Sequence, residues 1–394
     1  MLKPLHSAIL LIAGTSVGAG MLALPIGMSQ LGFIPSVLLM TWVWYIMYLS
    51  ALLMLEVNLR FEPGTNIISM AGISFGIMGK LFAWTIYLLL LYVLNSAYLS
   101  ALSDMMHRFL SNVISVKLGF PYAVIFISLV FLILIFYGAT KVDKINRILM
   151  AGLALSFMAL IYIFSPALGV TKLYPYSWLG INKALPLLAT SFGFHIIIPS
   201  LRSYLDSDEV NLKRAILVGS LIPLVMYICW QMMVFATVPV YGPRGLIALW
   251  GTGKVSYLVS LLADTLGNPL LTVVINLFSF FIITTSFLGV SLSLFDFLVD
   301  GFKVKKTKLM RTYVALLTFL PPVIVVLADF KSFFLVLSFA GALVVLLLCL
   351  LPLSMAIVGR FRDRNYKNKL VGSIGIFLVS FFALSVILLE TCTV

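Results

Sequence analysis

Ala13-Gly14-Thr15-Ser16-Val17-Gly18-Ala19-Gly20-Met21-Leu22-Ala23-Leu24-Pro25 decides the fold of this 394-residue chain. Gly14, Gly18 and Gly20, with the hydroxyls of Thr15 and Ser16, interrupt an apolar run long enough to cross a bilayer. Each interior glycine weakens a helix by about 0.5–1 kcal/mol relative to alanine. Unwound backbone at membrane depth survives only where it is buried in protein or lines a cavity. The stretch therefore predicts a helix broken around a polar site. A second copy follows at Ala189-Thr190-Ser191-Phe192-Gly193-Phe194-His195-Ile196-Ile197-Ile198-Pro199. Both copies carry Thr-Ser-x-Gly with a proline, Pro25 or Pro199, six or seven residues further on. Two glycine-interrupted segments in matching positions of two halves point to the binding site of a secondary transporter.

The composition agrees. At 62% hydrophobic and 10% charged residues, the chain departs from a water-soluble globule, which carries roughly 25% charged residues. The formal charge of +13 resides in short clusters between apolar runs. That pattern is a topology signal and not a nucleic-acid surface. Cys229, Cys349 and Cys392 have neither metal-ligand spacing nor the pattern of a disulfide framework, so no metal or cofactor is expected. The first apolar run leads straight into the broken motif, without the cleavage site of a signal peptide. No His-Glu-x-x-His string or pair of mid-span aspartates suggests an intramembrane enzyme.

At about 20 residues per crossing, eleven spans are expected, near 5–31, 34–58, 80–103, 121–139, 148–168, 184–203, 213–237, 268–298, 312–328, 332–357 and 370–390. With the N-terminus inside, 19 basic residues fall on the cytoplasmic side and 7 outside, which fixes that orientation and puts the C-terminus outside. The broken motifs open spans one and six. A five-span offset is odd, so the second copy enters from the opposite side, as in an inverted repeat. Residues 1–394 thus read as one transmembrane unit: repeat one at about 5–168, repeat two at about 184–357, and an additional helix at 370–390. Residues 59–79 read as a turn-rich connector, and residues 238–267 as an external segment that is either a gate or a passive amphipathic hairpin.

A break exposes amides at the head of one half-helix and carbonyls at the end of the other. Amides from Gly18 through Ala19 and Gly20 to Met21 suit a carboxylate. Carbonyls near Ala13 and Gly14, and near Ser191 and Phe192, suit a cation or an ammonium group. Together these features match an amino acid zwitterion, with Thr15, Ser16 and Gly193 completing the two motifs. The alternative is close helix packing through small residues. Asn95 and Tyr98 in span three are candidates for a polar handle on a side-chain pocket. Among ionisable groups, His195 beside the second break and Glu56 near the inner end of span two are coupling candidates, with a packing histidine and an ion pair as the alternatives. Thr285 and Ser286 in span eight are candidate cation ligands, although such hydroxyls commonly bond to their own helix. Span five holds no mid-depth lysine to stand in for a cation.

Residues Gly14 to Pro25 resemble the signature of the bacterial aromatic (and hydroxy) amino acid permeases. Ser191-Phe192-Gly193-Phe194-His195 and Thr285-Ser286-Phe287-Leu288-Gly289-Val290 are similar to that family's strings in spans six and eight. The resemblance implies an all-α, LeuT-like fold of 5 + 5 inverted repeats with broken helices one and six. It also implies proton-driven import of an aromatic amino acid, tyrosine before tryptophan, across the inner membrane. The expected partners are that substrate, a coupling proton or Na⁺, and a bilayer with anionic lipids at its cytoplasmic face. A sodium-coupled symporter is the rival within transport, and a non-transporting receptor or channel is the rival outside it.

Overall fold

The computed structural model describes residues 4–112, 119–136, 139–165, 178, 180–266, 269–302, 308–328, 333–362 and 369–393. Among these residues every regular element is helical. The first expected span is two helices, α1 (Pro4–Ser16) and α2 (Gly20–Gly27), meeting at a bend of 53°. Then come α3 (Phe33–Asn58), α4 (Ile67–Asn112), α5 (Phe120–Phe136) and α6 (Ala139–Phe164). The sixth expected span is also divided, into α7 (Ile181–Ser191), a 3-10 turn at His195–Ile197, and α8 (Ile198–Tyr204). After α9 (Glu209–Thr237), the short helices α10 (Leu246–Thr252) and α11 (Val255–Leu266) form a hairpin ahead of α12 (Pro269–Gly301). The chain ends with α13 (Lys308–Leu327), α14 (Phe333–Val344), α15 (Leu351–Arg362) and α16 (Ser373–Thr393), with a π segment at Val345–Leu350 joining α14 to α15.

Nine helices among the described residues are long and apolar enough to cross a membrane, ten if the bent pair counts as one span. The fourth expected crossing corresponds to α5, which is apolar but, at 17 residues, sits at the short limit for a span. The expected count of eleven depends on it. Several basic residues of the charge count, Lys117, Lys172, Lys303, Lys305, Lys306, Lys331, Arg364 and Lys367, lie outside the described residues.

Burial separates the centre from the rim. In the segment Ile181–Tyr204, 72% of the apolar window is buried, against 28% in Lys141–Phe164. The broken segment is therefore central. On α6 the exposed Ile148, Leu155 and Met158 present an apolar outer face that suits hydrocarbon. Around the centre, α1 packs on α9, α2 on α7, α14 on α4 and α7, and α12 on α4 and α6.

Two connectors carry regular structure of their own. The 59–79 segment turns at Gly64, whose φ is 86°, and is already helical from Ile67, where the Asn66 side chain accepts the Ser69 amide at 2.9 Å. Gly76, at φ 70° and ψ −157°, then interrupts α4, a conformation that side chains other than glycine avoid. The 238–267 segment is not a free hairpin. Leu246, Leu249, Leu258 and Leu262 are buried, and Trp250 stacks on Phe334 at 6.3 Å. Asp104 of α4 accepts the Ser256 hydroxyl and amide at the head of α11.

At the opposite end, charged groups tie the helices together. Arg360 of α15 donates to both carboxylate oxygens of Glu56 at 2.7 Å, and the Leu370 amide donates to the same carboxylate at 2.8 Å. Glu56 is 0% exposed and the Arg360 side chain 13%. Arg202 of α8 donates to the carbonyls of Asn58 and Phe61, closing the end of α3.

Removing one partner of a buried pair leaves an uncompensated charge, at a cost of roughly 3–5 kcal/mol. Glu56→Gln should therefore lower the melting temperature of the detergent-solubilised protein markedly. Asp143→Asn, which breaks the exposed Arg147–Asp143 pair, should leave it unchanged. Equal effects of the two substitutions in a thermal melt would contradict this.

Candidate functional site

The first break begins where the Val17 amide makes the last α-type bond of α1, to the Ala13 carbonyl at 2.8 Å. Past it, Met21 and Leu22 donate to the carbonyls of Gly18 and Ala19 at 3.0 and 3.1 Å, starting α2 with a tighter turn. The Ala19 amide instead leaves the chain and donates to Ser286 Oγ of α12 at 3.0 Å. The amides of Gly18 and Gly20 have no hydrogen-bond partner among the described residues. Ser16 Oγ, buried beside them, is likewise unpartnered. Three donors thus collect at the head of α2.

Two of these glycines are required by close approach. A Cβ on Gly18 would stand 2.9 Å from Ser286 Oγ, and one on Gly20 would stand 2.7 Å from Ser191 Oγ. The second contact brings the two breaks directly together.

In the second break, Phe192 and Gly193 still donate backward, to Leu188 at 3.1 Å and Thr190 at 3.3 Å. The chain then tightens through Phe194 and the 3-10 turn into α8. Pro199 sits in the first turn of α8, where a missing amide hydrogen costs nothing. The Ser191 carbonyl closing α7 accepts the hydroxyl of Tyr227 on α9 at 2.9 Å, and the same hydroxyl lies 2.6 Å from the Ser16 carbonyl closing α1. The Phe192 ring packs on the Tyr227 ring at 5.2 Å.

The expected residues divide into those at this junction and those away from it. Ser16, Gly18, Ala19, Gly20, Ser191, Phe192, Gly193 and Ser286 belong to the breaks or touch them. Thr15 is exposed, and its hydroxyl donates to the Leu11 carbonyl of its own helix at 2.7 Å. Thr285 likewise donates to the Phe281 and Ile282 carbonyls of α12. Asn95 is engaged away from the breaks, accepting the Ser291 hydroxyl at 2.5 Å and donating to Leu91. Tyr98 is buried and lies within electrostatic range of the Tyr227 phenol. His195 is fully buried. The Met47 backbone approaches it, yet neither ring nitrogen forms a bond of acceptable geometry. Glu56 is held by Arg360, the ion-pair alternative.

Two side chains of α9 escaped sequence reasoning. Tyr227 is one of 16 tyrosines and has no local motif. Gln231, one turn further along the same helix face, is fully buried, and neither of its amide atoms has a partner among the described residues. A glutamine in the middle of an apolar span was a legible signal.

Paired broken helices, whose amide-rich and carbonyl-rich ends meet at the centre of a helical membrane bundle, define a secondary transporter. Solved structures share this architecture. The structure of MHP1, a nucleobase-cation-symport-1 family transporter, in a closed conformation with bromovinylhydantoin bound, superposes with a TM-score of 0.63 at 13% identity, over 94% of this chain and 82% of that one. That of MhsT in complex with L-phenylalanine gives 0.65 at 13% identity, over 98% and 97%. The fold is that of the LeuT-like transporters. Residues 1–391 match the tryptophan/tyrosine permease family, and the chain belongs to that family. Tyrosine-specific transport system 2 of Haemophilus influenzae is 32% identical over 92% of this chain and 90% of its own length. A tryptophan-specific transport protein of Pseudomonas aeruginosa is 32% identical over 90% and 86%. The chain is a multi-pass membrane transport protein, not an enzyme.

Gly18→Ala should force Ser286 Oγ to rotate and give up the Ala19 amide, costing about 1–3 kcal/mol. Binding of aromatic amino acids, measured by scintillation proximity, should weaken accordingly. In Gly18→Ala/Ser286→Ala, where the nearest side-chain atom recedes to the Ser286 Cβ at 4.0 Å, the steric part of that loss should return. A double variant no better than the single one would show that the contact does not set the geometry.

Proposed function

We propose that this chain imports an aromatic amino acid, tyrosine foremost, across the bacterial inner membrane by proton symport and alternating access. The N-terminus is cytoplasmic and the C-terminus outside, following the charge count. Two five-span repeats and an eleventh helix form a single transport unit. The observation that carries the reading is the collection of donors without a partner among the described residues, Ser16 Oγ and the Gly18 and Gly20 amides, beside the junction of the carbonyl ends of α1 and α7. The substrate carboxylate binds the donors, with the positive end of the α2 dipole contributing about 0.3–2 kcal/mol. The ammonium group turns to the lone pairs that the Tyr227 hydroxyl leaves open on the carbonyls closing α1 and α7.

The aromatic ring lies against Phe192 and Tyr98. The unpaired amide of Gln231 offers both a donor and an acceptor to a ring hydroxyl or an indole N–H. Tryptophan, named for relatives as similar as the tyrosine-specific ones, is the second reading. In this orientation the α10–α11 hairpin is the outer cover of the site.

Proton coupling is favoured over sodium by the state of the candidate ligands. The Ser286 oxygen already accepts the Ala19 amide, and Glu56 is committed to Arg360. His195, buried in the second break with the Met47 backbone close by, is the coupling group of this reading. One co-transported proton carries about 2.3 kcal/mol per 100 mV of membrane potential, enough for roughly fifty-fold accumulation.

Proteoliposomes with an imposed inward proton gradient should accumulate labelled tyrosine, and an Na⁺ gradient alone should not drive uptake. His195→Gln should abolish gradient-driven accumulation while tyrosine exchange persists. Absence of gradient-dependent uptake of any aromatic amino acid would overturn the reading. Gln231→Leu should lower affinity for tyrosine roughly three- to tenfold relative to phenylalanine, the worth of one hydrogen bond. An unchanged ratio in competition binding would place the ring substituent elsewhere.

A further inference from the structure

Two carbonyls from two broken helices converge on one hydroxyl: Tyr227 Oη lies 2.6 Å from the Ser16 oxygen and 2.9 Å from the Ser191 oxygen. Each carbonyl closes the last turn of a half-helix, so each carries the negative end of a helix dipole. Two such ends side by side repel. In a membrane interior they also lack the water that would answer them at a surface. A pair of converging carbonyls in a dry site is the natural seat of a small cation. Here a phenol fills it. The group has a single proton, which it donates to one carbonyl or shares between the two.

We propose that the Tyr227 hydroxyl stands in for a monovalent cation between the two breaks, as a positioning group that holds α1 and α7 in register without Na⁺. The surroundings make the group rigid. Tyr227 is fully buried, its ring is held against Phe192 at 5.2 Å, and α9 packs on α1. The near contact of Gly20 with Ser191 Oγ depends on the same registration. Taken with the transport reading above, on which this consequence rests, the device removes one place for sodium from the cycle. The tether itself is independent of which substrate or ion is carried.

Thermal melts of the purified full-length protein test it, with NaCl or LiCl exchanged for choline chloride at constant ionic strength. Wild type should melt at the same temperature in all three salts. Tyr227→Phe keeps the ring and removes only the hydroxyl, so it should melt lower in choline by roughly 2–4 °C. It should recover part of that loss in Na⁺ or Li⁺, as the small cation enters the vacated seat. A structural hydrogen bond alone would give the lower melting temperature without cation rescue, and that result would overturn the proposal. So would an Na⁺-dependent shift in wild type, or an unchanged melt in Tyr227→Phe. If the variant cannot be recovered in choline, purification in NaCl throughout replaces that arm: folded protein obtained only with Na⁺ supports the proposal, and continued loss overturns it. Because the melts require no transport, failure here is distinct from failure of proteoliposome uptake.

Discussion

Backbone groups released inside a membrane must be answered by protein, and this bundle is arranged around that requirement. The hydroxyl of Tyr227 between the Ser16 and Ser191 carbonyls is its centre. Without a shared donor, the ends of α1 and α7 would present two negative dipole ends to each other in a dry interior. With it, two helices from different parts of the chain end at a common point. The approach of Gly20 to Ser191 and the packing of the Phe192 ring against Tyr227 follow from that meeting.

The amide side of the first break is answered differently, and incompletely. Ser286 on α12 takes the Ala19 amide, which anchors the break to a helix that itself packs on α4 and α6. The Gly18 and Gly20 amides and the Ser16 hydroxyl are left over. A buried donor without a partner costs about 1–3 kcal/mol, a cost the fold carries at Ser16 Oγ. All three groups lie beside the positive end of the α2 dipole. Stability is supplied elsewhere, at the ends of the bundle. There Glu56 and Arg360 pair, Arg202 closes α3, and Asp104 caps α11, each side chain satisfied by more than one partner.

The two regions are held in different ways. The ends are tied by charged side chains, whereas the centre is held by backbone geometry and one hydroxyl. The α10–α11 hairpin is docked through Trp250 on Phe334.

Much of this was legible along the chain. The glycines of residues 14–20 and 193 announced both breaks, because a membrane helix has no local reason to carry them, and Gly18 and Gly20 are indeed where neighbouring side chains leave no room for a Cβ. Apolar run length marked most of the helices. It was less informative at α5, where the run is short, and at Gly76 and Val345–Leu350, where backbone departures carry no compositional signature. Ionisable residues were recognisable as unusual, but whether Glu56 faced an ion or an arginine depended on a residue 304 positions away. Thr15 and Thr285 read as site hydroxyls, yet helix phase turns them to their own carbonyls. The sequence by itself determined that two helices break and what their exposed ends attract, since both follow from local backbone chemistry in a medium without water. Which side chain answers those ends, Tyr227 for the carbonyls and Ser286 for an amide, was decided only by tertiary packing, because those partners sit on helices brought into reach by the closing of the whole bundle.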